Sequence, residues 1–452
     1  MLSPVEITKQ NIDELKECLK NRNESCIYEF INELRPADIA EIIDDELDIE
    51  EAKTLFLLLD EELAADVLVE LEDDVRKKLL EHLSDEEIAE TFDILDTDDA
   101  VDIYADLPEE RKQQIISKVE DKEQADDIIE LSQYEEGTAG ALMAKELFKV
   151  NVHWTAARAI REMRKQAEEV SHVYTIYVVD DENKLVGTLS LKSLLFISPR
   201  EKVESVYMQD PIFVKVDTPA EEVAQIMQKY NLVAIPVVDD EHKLLGRITI
   251  DDVVDFIQEE AEKDYQLAAG ISENVDTDDS VWVLSRARLP WLLVGLIGEM
   301  FNSRLIANYE GDIQLYPQMA FYMPLIAAMG GNSGVQSSAI VVQGLANNTL
   351  LSKDIMSKLS KEFLVSFLNG LICAALVFGF NYFMLEELTL SYTISLALFC
   401  VIMFASIFGA FVPLMLDRFK IDPALATGPF VTTMNDVLGI FIYFLIGKLI
   451  YF

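Results

Sequence analysis

Five apolar stretches, at 289–306, 320–345, 363–385, 392–416 and 429–452, crowd the C-terminal two-fifths of this chain. Each comes close to the ~20 residues a helix needs to cross a hydrocarbon layer ~30 Å thick. Inside such a layer every backbone N–H and C=O has to be satisfied within its own segment, so helices are expected. The first stretch is the weakest, because Glu299, Asn302 and Arg304 interrupt it.

The loops between them carry a sign. Arg286 and Arg288 precede the first stretch, Lys353, Lys358 and Lys361 follow the second, and Arg418 and Lys420 follow the fourth. Glu310 and Asp312 follow the first stretch, and Glu386 and Glu387 the third. Basic loops stay on the cytosolic side, which places the N-terminus in the cytosol and the C-terminus outside.

Charge divides the chain at the same point. Residues 281–452 hold nine Lys/Arg and ten Asp/Glu, so −43 of the total −44 falls on residues 1–280. Such a surface repels nucleic acid and anionic headgroups, attracts cations, and strains its own compact form until they arrive. The opening residues are polar and charged, unlike a secretory leader, which leaves this half in the cytosol. Cys18, Cys26, Cys373 and Cys400 have no metal-like spacing and read as free thiols of a reducing compartment.

Within the acidic half, Leu47, Leu59, Leu71, Leu83, Leu95 and Leu107 recur every twelve residues. After them come Asp, Ser or Pro and acidic residues, as in Leu83-Ser84-Asp85-Glu86, where Asp or Ser before Glu is N-cap chemistry and acidic first turns suit the helix dipole. Short helices with one apolar face must stack to bury it, so residues 1–134 are expected to form an α-helical superhelix. Asp98 and Asp102 lie one turn apart within it.

A different pattern follows, twice. Tyr174-Thr175-Ile176-Tyr177-Val178-Val179-Asp180-Asp181-Glu182-Asn183-Lys184-Leu185-Val186-Gly187 returns 59 residues later as Val233-Ala234-Ile235-Pro236-Val237-Val238-Asp239-Asp240-Glu241-His242-Lys243-Leu244-Leu245-Gly246. A β-branched run, an acidic turn and a second strand make a hairpin, with helices before and after each copy. These modules, at 135–202 and 203–258, resemble a tandem pair of α+β CBS domains, which implies side-by-side pairing and a capacity to sense adenine nucleotides. The nucleotide signature Thr-x-x-Asp is present as Thr249-Ile250-Asp251-Asp252, whereas the first copy has Ser190-Leu191-Lys192-Ser193. ATP, if it binds, is therefore expected at the second module, and a purely structural pair stays an open alternative. A connecting helix, within 251–280, carries Asp252, Asp255, Glu259, Glu260 and Asp264 along one side. Like charges so spaced destabilise a lone helix, and cations bridging to another acidic surface would relieve them.

The five-helix transmembrane domain, 281–452, holds two polar motifs. The fifth stretch contains Asp436 with Thr432, Thr433 and Asn435 within a turn. A carboxylate at bilayer depth is costly and marks a functional position, and all-oxygen donors suit a hard cation. In the second stretch Gly330, Gly331 and Gly334 surround Asn332, with Gln336 one turn on. Two readings stay open: close helix packing, or a helix broken beside a wet cavity.

Nearly the whole chain of this multidomain membrane protein resembles the MgtE family of bacterial magnesium channels. The most specific matches are Gly331-Asn332-Ser333-Gly334-Val335-Gln336 and Thr432-Thr433-Met434-Asn435-Asp436-Val437-Leu438-Gly439. The resemblance implies a homodimer in the bacterial inner membrane whose second and fifth spans line a pore. An aspartate matching Asp436 would hold hydrated Mg²⁺, with Asn332 and Thr432 nearby. Acidic cytosolic positions (here Asp98, Asp102, Glu221, Asp252, Asp255, Glu259, Glu260 and Asp264) would sense internal Mg²⁺ and draw the connecting helix over the pore. Lys263, Gln343, Pro219 and Asn231 depart from the family pattern. The alternatives are a carrier of Mn²⁺ or Co²⁺ and a membrane-anchored metal or nucleotide sensor that transports nothing. No hydrolytic motif points to an enzyme.

Overall fold

The computed structural model describes residues 9–450, except 33, 168–169, 171–172, 274, 276–278, 347–354, 385–386 and 427. Lys353 and Glu386, used above to orient the spans, lie outside the described residues. The chain forms two compact units, Met1–Ile257 and Gln258–Phe452.

The first unit begins with short helices from Lys9–Lys20 to Lys122–Leu131. Asp48, Asp60, Ser84 and Asp121 accept backbone N–H groups at helix starts. Four leucines of the twelve-residue repeat, Leu47, Leu71, Leu83 and Leu107, are the residues on which helices end. Each helix packs on the next but one. Pro36–Glu46 meets Glu61–Glu70, which meets Asp85–Phe92, which meets Glu109–Lys118. Alternation of this kind is what winds the array into a superhelix, with Phe92 fully enclosed.

The cysteine expectation is corrected here. Cys18 and Cys26 form a disulfide, their Cα atoms 6.1 Å apart, while Cys373 and Cys400 are free. Cys18 ends one helix turn and Cys26 begins the next across a tight reversal at Arg22, whose positive φ brings them face to face.

Seven strands follow among the described residues: β1 (Phe148–Asn151), β2 (Ile176–Val179), β3 (Leu185–Leu189), β4 (Met208–Gln209), β5 (Val214–Lys215), β6 (Ala234–Val238) and β7 (Leu244–Thr249). They form two sheets, ordered β1-β2-β3-β4 and β5-β6-β7, each with one parallel pair and a central antiparallel hairpin. The repeat in sequence is a repeat in structure. Asn183 and His242, 59 residues apart, both take φ +63° at the hairpin turns. Leu185 N–H donates to His242 O at 2.9 Å and Leu244 N–H to Asn183 O at 3.0 Å, a reciprocal pair that ties the turns together. Against β7 lies a bridge from ahead of the first sheet, with Ala144 N–H to Arg247 O at 2.8 Å and Arg247 N–H to Ala144 O at 2.9 Å. The core agrees: the helical array's apolar cluster continues through Ala139 and Met143 into Val214, Ile235, Ile248 and Val253, whereas Val150, Ile176, Val178 and Leu189 form a separate one.

Among the described residues of the second unit, five helices have the length and apolarity to span a membrane: Val281–Ala307, Pro317–Ala346, Met356–Phe383, Leu388–Arg418 and Gly428–Ile450. The first is continuous despite its polar residues and Pro290. The second is also continuous from Met323 to Ala346, so its glycines serve close packing and do not break the helix. The fourth is the most enclosed, 56% buried, and packs on the second, third and fifth. The first span packs mainly on the fifth.

Gly246 shows how tightly the Ala144 bridge is held, since a Cβ there would lie 2.5 Å from Ala144 O. Gly246→Ala is expected to cost about 1–3 kcal/mol through overpacking. A lower urea midpoint for the full chain in detergent, followed by far-UV circular dichroism, is the check; an unchanged midpoint would show that the bridge is dispensable.

Candidate metal-ion sites

In the first unit, the N-terminus of the helix Thr97–Asp106 collects carboxylates from three parts of the chain. Asp96, Asp98 and Glu146 offer oxygens within 4.8 Å of one another. Glu146 caps this helix: Thr97 N–H donates to both of its oxygens at 3.2 Å, and the Thr97 hydroxyl to Oε2 at 3.0 Å. Lys145 N–H donates in turn to Thr97 Oγ1 at 2.8 Å, fixing the loop that delivers Glu146. Asp252 comes from the start of the helix Ile250–Ala269 and accepts from Thr249, from N–H at 3.0 Å and from the hydroxyl at 2.5 Å.

Burial and mutual repulsion raise the whole group. Asp98 is held well above the usual carboxylate range, by desolvation first and then by Asp252, Asp99, Glu146 and Asp96. Asp99 is pushed up to about 7 by desolvation, with Asp252 the next cause. Burial likewise raises Glu146 and Asp252. Arg247, 4% exposed, brings a cation to the group, Nη2 to Asp96 Oδ2 at 3.1 Å. One guanidinium cannot neutralise five carboxylates. An all-oxygen set with surplus negative charge fits Mg²⁺ or Ca²⁺, and poorly fits a soft metal.

The sequence-derived acids distribute unevenly around this centre. Asp98 and Asp252 are in it, and exposed Asp102 stands beside it, acting on Asp99. Asp255 is exposed on the same helix as Asp252, and burial and Asp251 raise it. Glu221 is exposed in the first turn of Ala220–Tyr230 and, among the described residues, is not part of the cluster of Asp96, Asp98 and Glu146. Pro219 and Asn231 have local roles there: Pro219 precedes that helix, and Asn231 ends it at φ +51°. Asp96, Asp99 and Glu146 were missed. Glu146 could have been suspected only from a tertiary contact, being 49 residues from Thr97.

Glu259, Glu260 and Asp264 belong to the second unit. Lys263, a break in the acidic stripe, pairs with Glu260 at 2.8 Å and also feels Asp422 and Asp264. Beyond it the chain is fastened down. Gln266 exchanges hydrogen bonds with Val275 at 3.0 and 3.1 Å, and Ser272 N–H and Oγ–H both donate to Ala287 O, at 2.9 and 2.8 Å. Ala268 O and Gly270 abut Gly428 and Pro429 at the start of the fifth span.

Asp436 lies half-buried on that span. Gly331 faces it across the helix pair: a Cβ there would stand 3.6 Å from Asp436 Oδ1 and 3.3 Å from Thr432 Cγ2. Thr432 Oγ1 donates to Gly428 O at 2.9 Å, so its hydroxyl proton is already committed. Asn435 is 1% exposed, with neither amide atom hydrogen-bonded among the described residues, and any Cβ on Gly334 would collide with it. Asn332 is exposed, as is Gln336. Glu299 of the first span, noted in the sequence only as an interruption, is a carboxylate neighbour of Asp436. Asn302 Nδ2 donates to Glu299 at 3.3 Å.

The Thr249–Asp252 pair expected to meet a nucleotide is turned onto itself and into the acidic centre. A separate cavity of about 450 Å³ opens beside β3 and β4, lined by Val186, Tyr207, Asp210 and Phe213.

Three family models match the chain: a divalent cation transporter model over 323–446, an MgtE intracellular N domain over 34–137, and CBS domains over 139–199 and 203–259. The chain is 31% identical to the magnesium transporter MgtE of Bacillus subtilis, over 70% of each chain. It is 34% identical to that of Thermus thermophilus, over 72% of each. Two solved structures resemble it at TM-score 0.51. One is the soluble part of a magnesium transporter (30% identical, 56% of this chain, 99% of that one). The other is the cytosolic domain of the Mg²⁺ channel MgtE in complex with ATP (31% identical, 54% and 99%).

The acidic centre predicts a pH dependence of definite sign. A folded-state pKa above the ordinary 3.8 means the folded form holds its protons more tightly. The stabilisation is full below pH ~4 and fades as pH rises through about 7 for Asp99. In chelator, Asp99→Asn is therefore expected to raise the thermal midpoint at pH 8 but not at pH 4.5, and to shrink the gain that millimolar Mg²⁺ gives at pH 8. Equal effects at both pH values would show that repulsion is not what Asp99 feels.

Proposed function

The chain belongs to the MgtE family of divalent cation transporters, and on that premise we propose a magnesium channel of a bacterial inner membrane that internal Mg²⁺ closes. It is a transporter and not an enzyme. The observation that carries the reading is Asp436, an acid on a spanning helix facing Gly331 of the second span. Mg²⁺ prefers six oxygens and parts reluctantly with its waters, so a carboxylate that grips the hydrated ion avoids the cost of stripping it. A membrane potential, negative inside, drives each charge inward with ~2.3 kcal/mol per 100 mV, and a divalent ion with twice that. One Asp436 carboxylate neutralises half of the ion. A homodimer with two around the axis, N-termini in the cytosol, completes the neutralisation, and two-fold closure is the commonest oligomeric arrangement.

Closure runs through the helix Ile250–Ala269, ~30 Å long at 1.5 Å per residue. Its first turn carries Asp252, a member of the acidic centre, and its far end abuts Gly428 and Pro429 where the Asp436 span begins. Mg²⁺ bound among Asp98, Asp99, Glu146 and Asp252 favours the state in which these carboxylates are held together. The population shift equals the ion's preference for that state. Asp102, Glu221, Asp255, Glu259, Glu260 and Asp264 add outer sites or attract ions to it. An adenine nucleotide such as ATP is a second ligand of the CBS pair. The cavity at Tyr207 and Phe213 offers it an aromatic platform, in preference to the self-bonded Thr249–Asp252 turn.

Asp436→Ala is expected to abolish Mg²⁺ flux into liposomes while insertion and gel-filtration behaviour persist. Glu299→Gln is expected to reduce flux severalfold, since it removes the neighbour that Asp436 shares. A combined Asp98→Asn/Asp252→Asn protein should conduct at internal Mg²⁺ concentrations that silence the parent. Full flux through Asp436→Ala would overturn the pore assignment, and normal closure of the double variant would overturn the sensor.

A further inference from the structure

A cavity of about 420 Å³ lies at one rim of the membrane bundle, where the second span ends, the third begins and the fourth ends. Val341, Leu359 and Leu414 belong to its apolar wall, while Lys358, Lys361 and Glu362 stand in the same lining. Glu362 is engaged, accepting from the Ser337 hydroxyl at 2.6 Å. Lys358 is half-buried and Lys361 exposed, and among the described residues neither is ion-paired with a carboxylate. The site thus has an apolar wall, two cationic heads and a charge surplus at the depth where span ends meet lipid headgroups.

We propose that this cavity binds an anionic phospholipid, one acyl chain against Val341, Leu359 and Leu414 and the phosphate between Lys358 and Lys361. A free phosphate would make no use of the wall, and a zwitterionic lipid would leave the lysine charge uncompensated. Basic pockets between spans on the positive side of a membrane protein suit acidic headgroups, and each lysine near such a surface is worth about fivefold in affinity. Bound there, the lipid braces the second span against the third and fourth. It does so whichever ion the protein carries.

The test uses the purified full chain in nanodiscs of phosphatidylcholine with and without one-third phosphatidylglycerol, released into native mass spectrometry. The parent is expected to retain phosphatidylglycerol at least tenfold over phosphatidylcholine. Lys358→Gln/Lys361→Gln should lose that preference at an unchanged thermal midpoint in phosphatidylcholine. Leu359→Trp, which fills the apolar wall and keeps both charges, should lower total retention. Equal retention of the two lipids by the parent, or the same preference in the lysine double variant, overturns the proposal. Displacement of phosphatidylglycerol by millimolar inorganic phosphate also overturns it, in favour of a soluble anion. Retention of no lipid at all by the parent overturns it as well.

Discussion

Everything in the first unit turns on carboxylates held closer together than water alone would allow. The helix Thr97–Asp106 offers its positive end to Glu146, and the Thr97 hydrogen bonds repay part of the desolvation. Asp252 is compensated likewise by Thr249, and Asp98 accepts the Asp99 N–H. All remain raised, by burial before anything else and then by neighbouring carboxylates, and the Arg247 guanidinium that pairs with Asp96 also favours the charged form of Asp252. The fold therefore stores repulsion that a divalent cation can discharge, and the charge of residues 1–280 raises the local concentration of such cations.

The membrane unit solves the opposite problem, bringing polar groups to depth without leaving them bare. Gly330, Gly331 and Gly334 remove side chains where the second span meets the fifth, and Gly409 does so where the fourth span meets Gly334. This lets Asn435 and Asp436 sit against backbone. A Cβ at any of these glycines would press on a neighbour, which ties helix spacing directly to the position of the carboxylate.

The sequence made the elements legible because their signals are local. A twelve-residue leucine period, a 59-residue repeat and five apolar stretches each need only short-range information. Asp436, Asp98 and Asp252 were legible as acids in unusual settings. Glu146, Asp99 and Glu299 were not, because their significance rests on neighbours 47 to 153 positions away that periodicity does not reveal. The Cys18–Cys26 bond was missed for a related reason: composition argued for a reducing compartment, whereas the turn at Arg22 decides which thiols meet. Lys263 was read as a flaw in a stripe, but in three dimensions it is the stripe's own counter-ion.

The bridge at Ala144 has a consequence for synthesis. The edge that covers β7 leaves the ribosome about a hundred residues before β7 exists, and the core around Ala139 and Met143 waits for Ile235 and Ile248. At 5–20 residues per second this apolar seam stays open for on the order of 5–20 s. It closes only as the first membrane span is being made. The acidic unit is therefore sealed at about the moment the chain is handed to the insertion machinery, and a slow closure there would present a sticky edge to every other nascent chain nearby.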